Sequence, residues 1–150
     1  MEIERKFLIE DMEDLPFDPK GYPCRRIEQG YLCTEPVVRI RRDNDEYFLT
    51  YKSKGLMIRE EYNLPLTEKA YSHLRSKADG RIIEKTRYMV PLEDGLTLEL
   101  DIFEGSLAPL ILAEIEFPDE ESARAYQPPQ WLGKDVTFST AYHNSTLSLL

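Results

Sequence analysis

The chain has 150 residues, of which 28 are acidic and 19 basic, giving a formal net charge of −9. This length predicts a single domain, residues 1–150, with a sizeable buried core. The strong acidity argues against nucleic-acid and anionic-membrane partners, and no uncharged run approaches the ~20 residues that cross a bilayer. The N-terminus does not resemble a signal peptide, and the two cysteines are expected to be reduced. These features predict a cytoplasmic location.

Short alternating or apolar runs recur at close spacing and are separated by turn residues. This pattern is typical of an all-β barrel or sandwich. Asp43-Asn44-Asp45 and Glu93-Asp94-Gly95 favour tight hairpins between strands. We therefore predict a mainly β fold with eight strands, at about residues 2–10, 27–34, 36–43, 46–53, 57–66, 81–90, 95–104 and 110–117.

Helical patterns are confined to three short segments. Thr67 can cap a helix over about 68–78. A second helix is predicted from Asp119 through Tyr126, because Pro128-Pro129 prevents its extension. The leucine-containing tail, 144–150, is expected to form a last helical turn that packs onto the rest of the chain.

The opening segment Glu2-Ile3-Glu4-Arg5-Lys6-Phe7 shows the alternation on which the functional hypothesis depends. Successive strand side chains point to opposite faces, so Glu2, Glu4 and Lys6 share one face. Two carboxylates roughly 7 Å apart can approach one hard cation, beside a lysine charge that suits a phosphate. A charged strand face is more often simply exposed to solvent. The rest of the chain must therefore decide between a solvated face and a site for a metal ion and a phosphate.

The same alternation returns down the chain, and its charges are segregated by strand. The opposite faces of the first, seventh and eighth predicted strands are largely apolar, so helices could cover the outside of a barrel whose charged face points inward. A solvated surface tends to mix its signs, whereas a basic wall suits polyphosphate and an acidic wall suits Mg²⁺ or Mn²⁺. The in-phase residues are seven bases (Lys6, Arg39, Arg41, Lys52, Arg59, Lys85, Arg87) and seven acids (Glu2, Glu4, Glu61, Glu99, Asp101, Glu114, Glu116).

At this point the sequence resembles the CYTH family, also called the triphosphate tunnel metalloenzymes. Glu2-Ile3-Glu4-Arg5-Lys6 matches the ExExK signature of that family, and the likeness covers nearly the whole chain. It implies an eight-stranded antiparallel closed barrel that encloses a charged tunnel, with helices packed outside. The matching segments that follow are Gln29-Gly30-Tyr31-Leu32, Arg39-Ile40-Arg41, Lys52, Arg59-Glu60-Glu61, Lys85-Thr86-Arg87, Glu99-Leu100-Asp101, Glu114-Ile115-Glu116 and Trp131-Leu132-Gly133-Lys134-Asp135-Val136-Thr137.

The resemblance also implies a function and a role for each matched residue. It implies a metal-dependent triphosphatase that acts on inorganic tripolyphosphate or an organic triphosphate, with Mg²⁺ or Mn²⁺ as cofactor. The implied metal ligands are Glu2, Glu4, Asp101, Glu114 and Glu116; the phosphate-binding residues are Lys6, Arg39, Arg41, Lys52, Arg59, Lys85 and Arg87; and the catalytic residues are Lys52, Glu61 and Asp101.

Two other functions remain open from the sequence. The same family contains class IV adenylate cyclases, which convert ATP to cyclic AMP, and a non-catalytic polyphosphate- or nucleotide-binding module is also compatible. The protein is expected to be a monomer or a homodimer. We interpret His73 and His143 as structural residues, Tyr31 as barrel packing and Trp131 as an anchor for the C-terminal segment.

Overall fold

The computed structural model describes all 150 residues, Met1–Leu150. None of its helices combines the length and the apolar character needed to cross a membrane. The three α-helices are α1 (Glu68–Arg75), α2 (Glu120–Ala125) and α3 (Asn144–Leu147). The ten strands are β1 (Glu2–Leu8), β2 (Cys24–Thr34), β3 (Val37–Asp43), β4 (Glu46–Lys52), β5 (Ile58–Arg59), β6 (Glu61–Pro65), β7 (Asp79–Pro91), β8 (Thr97–Phe103), β9 (Ile111–Glu116) and β10 (Lys134–Asp135).

The strands form one antiparallel sheet that curls until its two ends meet. Its order is β10-β1-β9-β8-β7-β2-β3-β4-β6, and β5 pairs with β1 off this path. Strand β6 pairs with β4, while β5, one residue earlier in the chain, pairs with β1 through Glu2–Arg59 and Ile3–Ile58. The chain around residue 60 therefore joins the two ends of the sheet, and the predicted mainly β barrel is confirmed.

The strand limits differ from the prediction in ways that follow from long-range pairing. The predicted strand 57–66 is divided at Glu60, because Arg59 pairs with Glu2 whereas Glu61 pairs with Lys52 of β4. Strand β2 begins at Cys24, three residues earlier than predicted, because it pairs with β7 as far as Tyr88. Strand β10 has two residues, too few to leave a pattern of alternation in the sequence.

The apolar outer face of the barrel is covered, as the alternation predicted. Phe7, Leu98, Leu100 and Ile115 are fully buried, although their side chains lie opposite the charged face of their strands. They pack beneath α2 and irregular segments of the chain. The covering residues include Ala123 of α2 together with Leu15, Phe17, Tyr22, Trp131 and Leu132.

Helix α1 also lies outside the barrel, against β3 and β4. The Thr67 hydroxyl accepts a hydrogen bond from the Ala70 amide at 3.1 Å, which confirms the predicted N-cap. The helix ends at Arg75, three residues before the predicted limit. The ring of Tyr71 packs at 5.1 Å from that of Tyr47, and its hydroxyl donates to Glu28 Oε1 at 2.8 Å.

Helix α3 closes one end of the barrel from within. Leu147 packs into a second apolar cluster with Ile83, Phe103 and Leu112, which lie in phase with the charged residues of β7, β8 and β9. The tail lies close against the start of β7 at Gly80. Gly80 has φ 67°, and a Cβ there would meet the Ser148 carbonyl oxygen. The prediction that the tail forms a helical turn and packs is confirmed, and its place is the barrel end.

Candidate active site

A cavity of about 430 Å³ runs through the interior of the barrel. Thirteen of the fourteen in-phase charged residues line it, so the charged face points inward and is not a solvated outer skin. The lining bases are Lys6, Arg39, Arg41, Lys52, Arg59, Lys85 and Arg87, and the lining acids are Glu2, Glu4, Glu61, Glu99, Glu114 and Glu116. We call this cavity the tunnel.

The basic wall is built by β3 and β7 and crowds several cations together. Arg39 and Arg87 are about 95% buried, and burial together with Arg39 and Arg87 lowers the pKa of Arg41 to about 9. The buried Nε of Arg39 has no hydrogen-bond partner within the protein. Buried N–H donors are normally paired, so this wall offers free donor capacity that fits the oxygens of an anion.

The acidic wall is built where β1 and β9 pair side by side. Glu4 lies opposite Glu116, and Lys6 lies opposite Glu114. Burial, Glu114 and Glu2 raise the pKa of Glu4 to about 8, and burial together with Glu61 raises that of Glu2 to about 7. Each raised pKa means that the negative charge is poorly compensated by the protein, which is the electrostatic environment that favours a divalent cation.

No three acidic, histidine or cysteine side chains converge into a metal cage of their own. Mg²⁺ does not require one, because it is usually held by one or two carboxylates and completes its shell with waters and substrate phosphates. The donor set on the acidic wall consists of carboxylate oxygens, which are the ligands that Mg²⁺ and Mn²⁺ prefer. Glu2, Glu4 and Glu116 therefore fit such an ion.

Ion pairs link acidic and basic side chains inside the tunnel. Lys52 Nζ lies 2.9 Å from Glu2 Oε1, Lys6 Nζ lies 3.4 Å from Glu114 Oε1, and an Arg87 guanidinium nitrogen lies 2.7 Å from Glu99 Oε2. These contacts hold the charged side chains in defined positions within the tunnel.

Glu61 remains ionised in this environment. Burial opposes ionisation, but a hydrogen bond with Glu2 and the charges of Lys52 and Arg39 lower the pKa of Glu61 to about 2. A carboxylate that stays charged at neutral pH can accept hydrogen bonds from a water molecule.

Asp101 is the one predicted site residue that does not line the tunnel. It is fully buried behind the basic wall, where it accepts a hydrogen bond from Lys85 at 2.7 Å and two from Arg87 at 2.7 and 2.9 Å. Burial opposes the ionisation of Asp101, but Arg87 and Lys85 lower its pKa. Burial lowers the pKa of Lys85 to about 7. The Asp101 carboxylate therefore faces two bases, Lys85 and Arg87, and this arrangement orients both of them.

The tunnel also contains residues that the sequence analysis did not assign to it. Arg25 lines it because β2 begins at Cys24, earlier than predicted. A predicted strand that began there would have placed Arg25 on the same face as Gln29. Tyr31, predicted to pack the barrel, is buried but also faces the tunnel. The C-terminal segment adds Thr137, His143, Asn144 and Ser145, and the remaining lining residues are Val37, Leu56, Asn63 and Met89.

The C-terminal segment contacts the bases of the tunnel directly. Lys6 Nζ donates to the Tyr142 carbonyl oxygen at 3.3 Å, and Lys85 Nζ donates to Asn144 Oδ1 at 3.2 Å. His143 Nδ1 lies 3.3 Å from an Arg59 guanidinium nitrogen. No strand alternation marks these residues, so the sequence contained no signal that they would reach the site.

Comparison with known proteins agrees with this geometry. The model of the CYTH domain family matches residues 1–150. The chain is 42% identical to an inorganic triphosphatase of Nitrosomonas europaea, over 99% of this chain and 97% of that protein. It is 38% identical to an inorganic triphosphatase of Acetivibrio thermocellus, over 97% of this chain and 92% of that protein.

Solved structures share the architecture. A crystal structure of an inorganic triphosphatase superposes with a TM-score of 0.73 at 38% identity, covering 100% of this chain and 95% of the other. A Hippeastrum protein superposes with a TM-score of 0.65 at 16% identity over 83% of each chain, a likeness that extends to the fold alone.

Proposed function

Because this chain belongs to the CYTH domain family, we propose that it is a metal-dependent triphosphatase that hydrolyses inorganic tripolyphosphate. The observation that carries the proposal is the enclosure of a basic wall and an acidic wall within one tunnel. Two relatives that align over at least 97% of this chain are inorganic triphosphatases. The activity is a phosphoanhydride hydrolysis, in which water and tripolyphosphate give pyrophosphate and orthophosphate.

The basic wall is proposed to bind the phosphate chain. Arginine binds phosphate oxygens through a planar fork of N–H donors, and lysine acts as a compact point charge. The wall provides both types at several positions along the tunnel, which suits an extended anion with several charges. The proposed phosphate-binding residues are Lys6, Arg39, Arg41, Lys52, Arg59, Lys85 and Arg87, and Arg25 joins them because it lines the same cavity.

The acidic wall is proposed to hold Mg²⁺ or Mn²⁺ through Glu2, Glu4 and Glu116, with Glu114 alongside. When bound, such an ion neutralises charge on the phosphate oxygens. The pKa values of Glu4 and Glu2, raised to about 8 and about 7, support this assignment because a nearby cation would favour their ionised forms.

Glu61 and Lys52 are proposed as catalytic residues. The ionised Glu61 accepts a hydrogen bond from the attacking water and orients it in line with the bond that breaks, between the terminal phosphorus and its bridging oxygen. Lys52, 2.9 Å from Glu2, stabilises negative charge that develops on the phosphoryl oxygens. Phosphoryl transfer depends mainly on such positioning and charge stabilisation.

Asp101 is proposed to be a positioning residue for the reaction. It is fully buried and does not line the tunnel, and the three hydrogen bonds that it accepts from Lys85 and Arg87 aim both bases into the tunnel. This interpretation separates it from the carboxylates of the acidic wall.

One assay panel tests the proposed function. Release of orthophosphate and of cyclic AMP is measured with tripolyphosphate, ATP and thiamine triphosphate, each with Mg²⁺, with Mn²⁺ and with a chelator. We expect metal-dependent orthophosphate release from tripolyphosphate. Cyclic AMP from ATP without orthophosphate from tripolyphosphate would replace the proposal with a cyclase, and tight triphosphate binding without either product would replace it with a binding module.

A further inference from the structure

A second cavity, of about 360 Å³, adjoins the tunnel. It is bounded by the β2–β3 turn, by the loop between β4 and β5, and by the C-terminal segment. We call it the side chamber. Its lining includes Thr34, Glu35, Lys54, Arg59 and His143.

Arg59 and His143 stand between the two cavities. Both line the tunnel and the side chamber, as do Val37, Leu56 and Ser145. Among these shared residues, His143 and Arg59 contact each other through polar atoms, with His143 Nδ1 3.3 Å from an Arg59 guanidinium nitrogen. Arg59 is held from the other side, because its Nε donates to the Gly55 carbonyl oxygen at 3.0 Å. The pair therefore closes part of the opening between the cavities.

The backbone of the tail is held at His143 by hydrogen bonds that are independent of its side chain. The His143 amide donates to the Thr140 carbonyl oxygen at 3.2 Å, and its carbonyl oxygen accepts from the Leu147 amide at 2.9 Å. Neither bond involves the imidazole. A change of this side chain can therefore open the partition while the tail keeps its fold.

The two cavities differ in chemistry. The tunnel is lined by eight lysine or arginine side chains, whereas the side chamber adds only Glu35 and Lys54 to the shared Arg59. Its other side chains are mostly hydroxyls and apolar groups. In a longer polyphosphate, each further phosphate brings a negative charge that needs a compensating cation. An uncharged organic group instead needs space, hydrogen-bond partners and apolar contact. The side chamber therefore suits an uncharged organic group better than a further phosphate.

We propose that His143 is a specificity-determining residue: with Arg59 it separates the tunnel from the side chamber, and so disfavours triphosphates that carry an organic group. The side chamber is the space that an uncharged nucleoside would occupy if the partition were opened. This inference rests on the proposed triphosphatase function and concerns the choice between inorganic and organic substrates.

The test compares His143→Ala with the unmodified protein and with His143→Gln, which keeps a side chain of similar length and polarity. The values of kcat/KM are measured with Mg²⁺ for tripolyphosphate, ATP and linear tetrapolyphosphate. We expect the ATP-to-tripolyphosphate ratio to rise at least ~10-fold in His143→Ala, the lower range for removal of a steric block. His143→Gln is expected to stay near the unmodified ratio, and tetrapolyphosphate is expected to gain less than ATP.

A second variant refills the side chamber. Thr34 lines the chamber but not the tunnel, so Thr34→Trp alone should leave tripolyphosphate hydrolysis unchanged. In the His143→Ala background it should remove the gain with ATP. The dissociation constants of tripolyphosphate and of the β,γ-imido analogue of ATP are measured on the same variants, and melting curves confirm that each is folded.

Several outcomes overturn the inference while leaving the proposed function intact. These are equal efficiency of the unmodified protein on ATP and tripolyphosphate, an unchanged ratio in His143→Ala, and an equal gain for tetrapolyphosphate. A gain that survives Thr34→Trp also overturns it. If the unmodified protein hydrolyses no tripolyphosphate, the proposed function fails, and the dissociation constants still decide whether His143 controls access of the organic group.

Discussion

Replacing Asp101 with asparagine tests whether this residue orients the basic wall or binds the metal. The substitution keeps the shape of the side chain but removes its charge. Asp101 is fully buried and accepts three hydrogen bonds, from Lys85 and Arg87. The change therefore leaves the buried Lys85 without its carboxylate partner, whereas Arg87 keeps its ion pair with Glu99 at 2.7 Å.

The expected cost follows from these contacts. Removing one partner of a buried ion pair costs about 3–5 kcal/mol. Burial already lowers the pKa of Lys85 to about 7, so this lysine can release its proton and limit the cost to ~3 kcal/mol, the lower end of that range. At ~2–4 °C per kcal/mol for a domain of this length, Tm should fall by ~6–12 °C.

Thermal and urea unfolding measure the loss of stability, and Mn²⁺ titration at a temperature where both proteins are folded measures metal affinity. A matched control is Glu116→Gln, which removes a carboxylate from the exposed end of the acidic wall. We expect Asp101→Asn to lose stability while retaining Mn²⁺ binding, and Glu116→Gln to do the reverse. An unchanged Tm with loss of Mn²⁺ binding in Asp101→Asn would refute the positioning role and restore the metal-ligand interpretation.

The remaining predictions concern the walls, the tail and Asp101. Glu4→Gln should abolish metal-dependent phosphate release without unfolding the protein, as enzyme assays and melting curves together would show. Burial raises the pKa of Glu4 from its ordinary 4.5 to about 8. The fold therefore favours protonated Glu4, and this contribution to stability is lost as the pH rises from 4.5 through 8. Because Glu4 is ionised above that range, Mg²⁺ should raise Tm more at pH 9 than at pH 6 in the unmodified protein but not in Glu4→Gln. Lys52→Ala should lower kcat/KM for tripolyphosphate ~100-fold, the effect of losing one electrostatic stabiliser, and retention of full activity would remove Lys52 from the site. Leu147→Ala should cost ~2–4 kcal/mol in urea unfolding through the cavity left at the barrel end, and a cost below ~1 kcal/mol would show that the tail does not pack there. The pKa of Asp101 is lowered in the fold, so its stabilising effect is lost below about pH 4, and acid should reduce Tm more steeply in the unmodified protein than in Asp101→Asn.

The tunnel walls could be predicted residue by residue because strand alternation is a local property. Glu2, Glu4 and Lys6 lie on one face whatever the rest of the chain does, since successive side chains point in opposite directions. Segregation of the charges by strand then indicated an enclosed face. Thirteen of the fourteen predicted side chains line the tunnel for that reason.

Depth within the wall could not be predicted in the same way. Asp101 has the same phase as Glu99, yet Glu99 lines the tunnel and Asp101 does not. The difference arises because Asp101 pairs opposite Arg87 across β7 and β8, whose guanidinium, together with Lys85, covers the carboxylate. Only the register of the strands decides which charges are covered by others.

The amino-acid sequence by itself determined the mainly β fold, the inward charged face and the separation of acids from bases, because each depends on backbone geometry over a few neighbouring residues. The tertiary structure alone decided that the tail enters the barrel end and brings His143 beside Arg59, 84 residues away in sequence. Such contacts depend on how distant segments pack, and the tail carries no periodic pattern that specifies its partner.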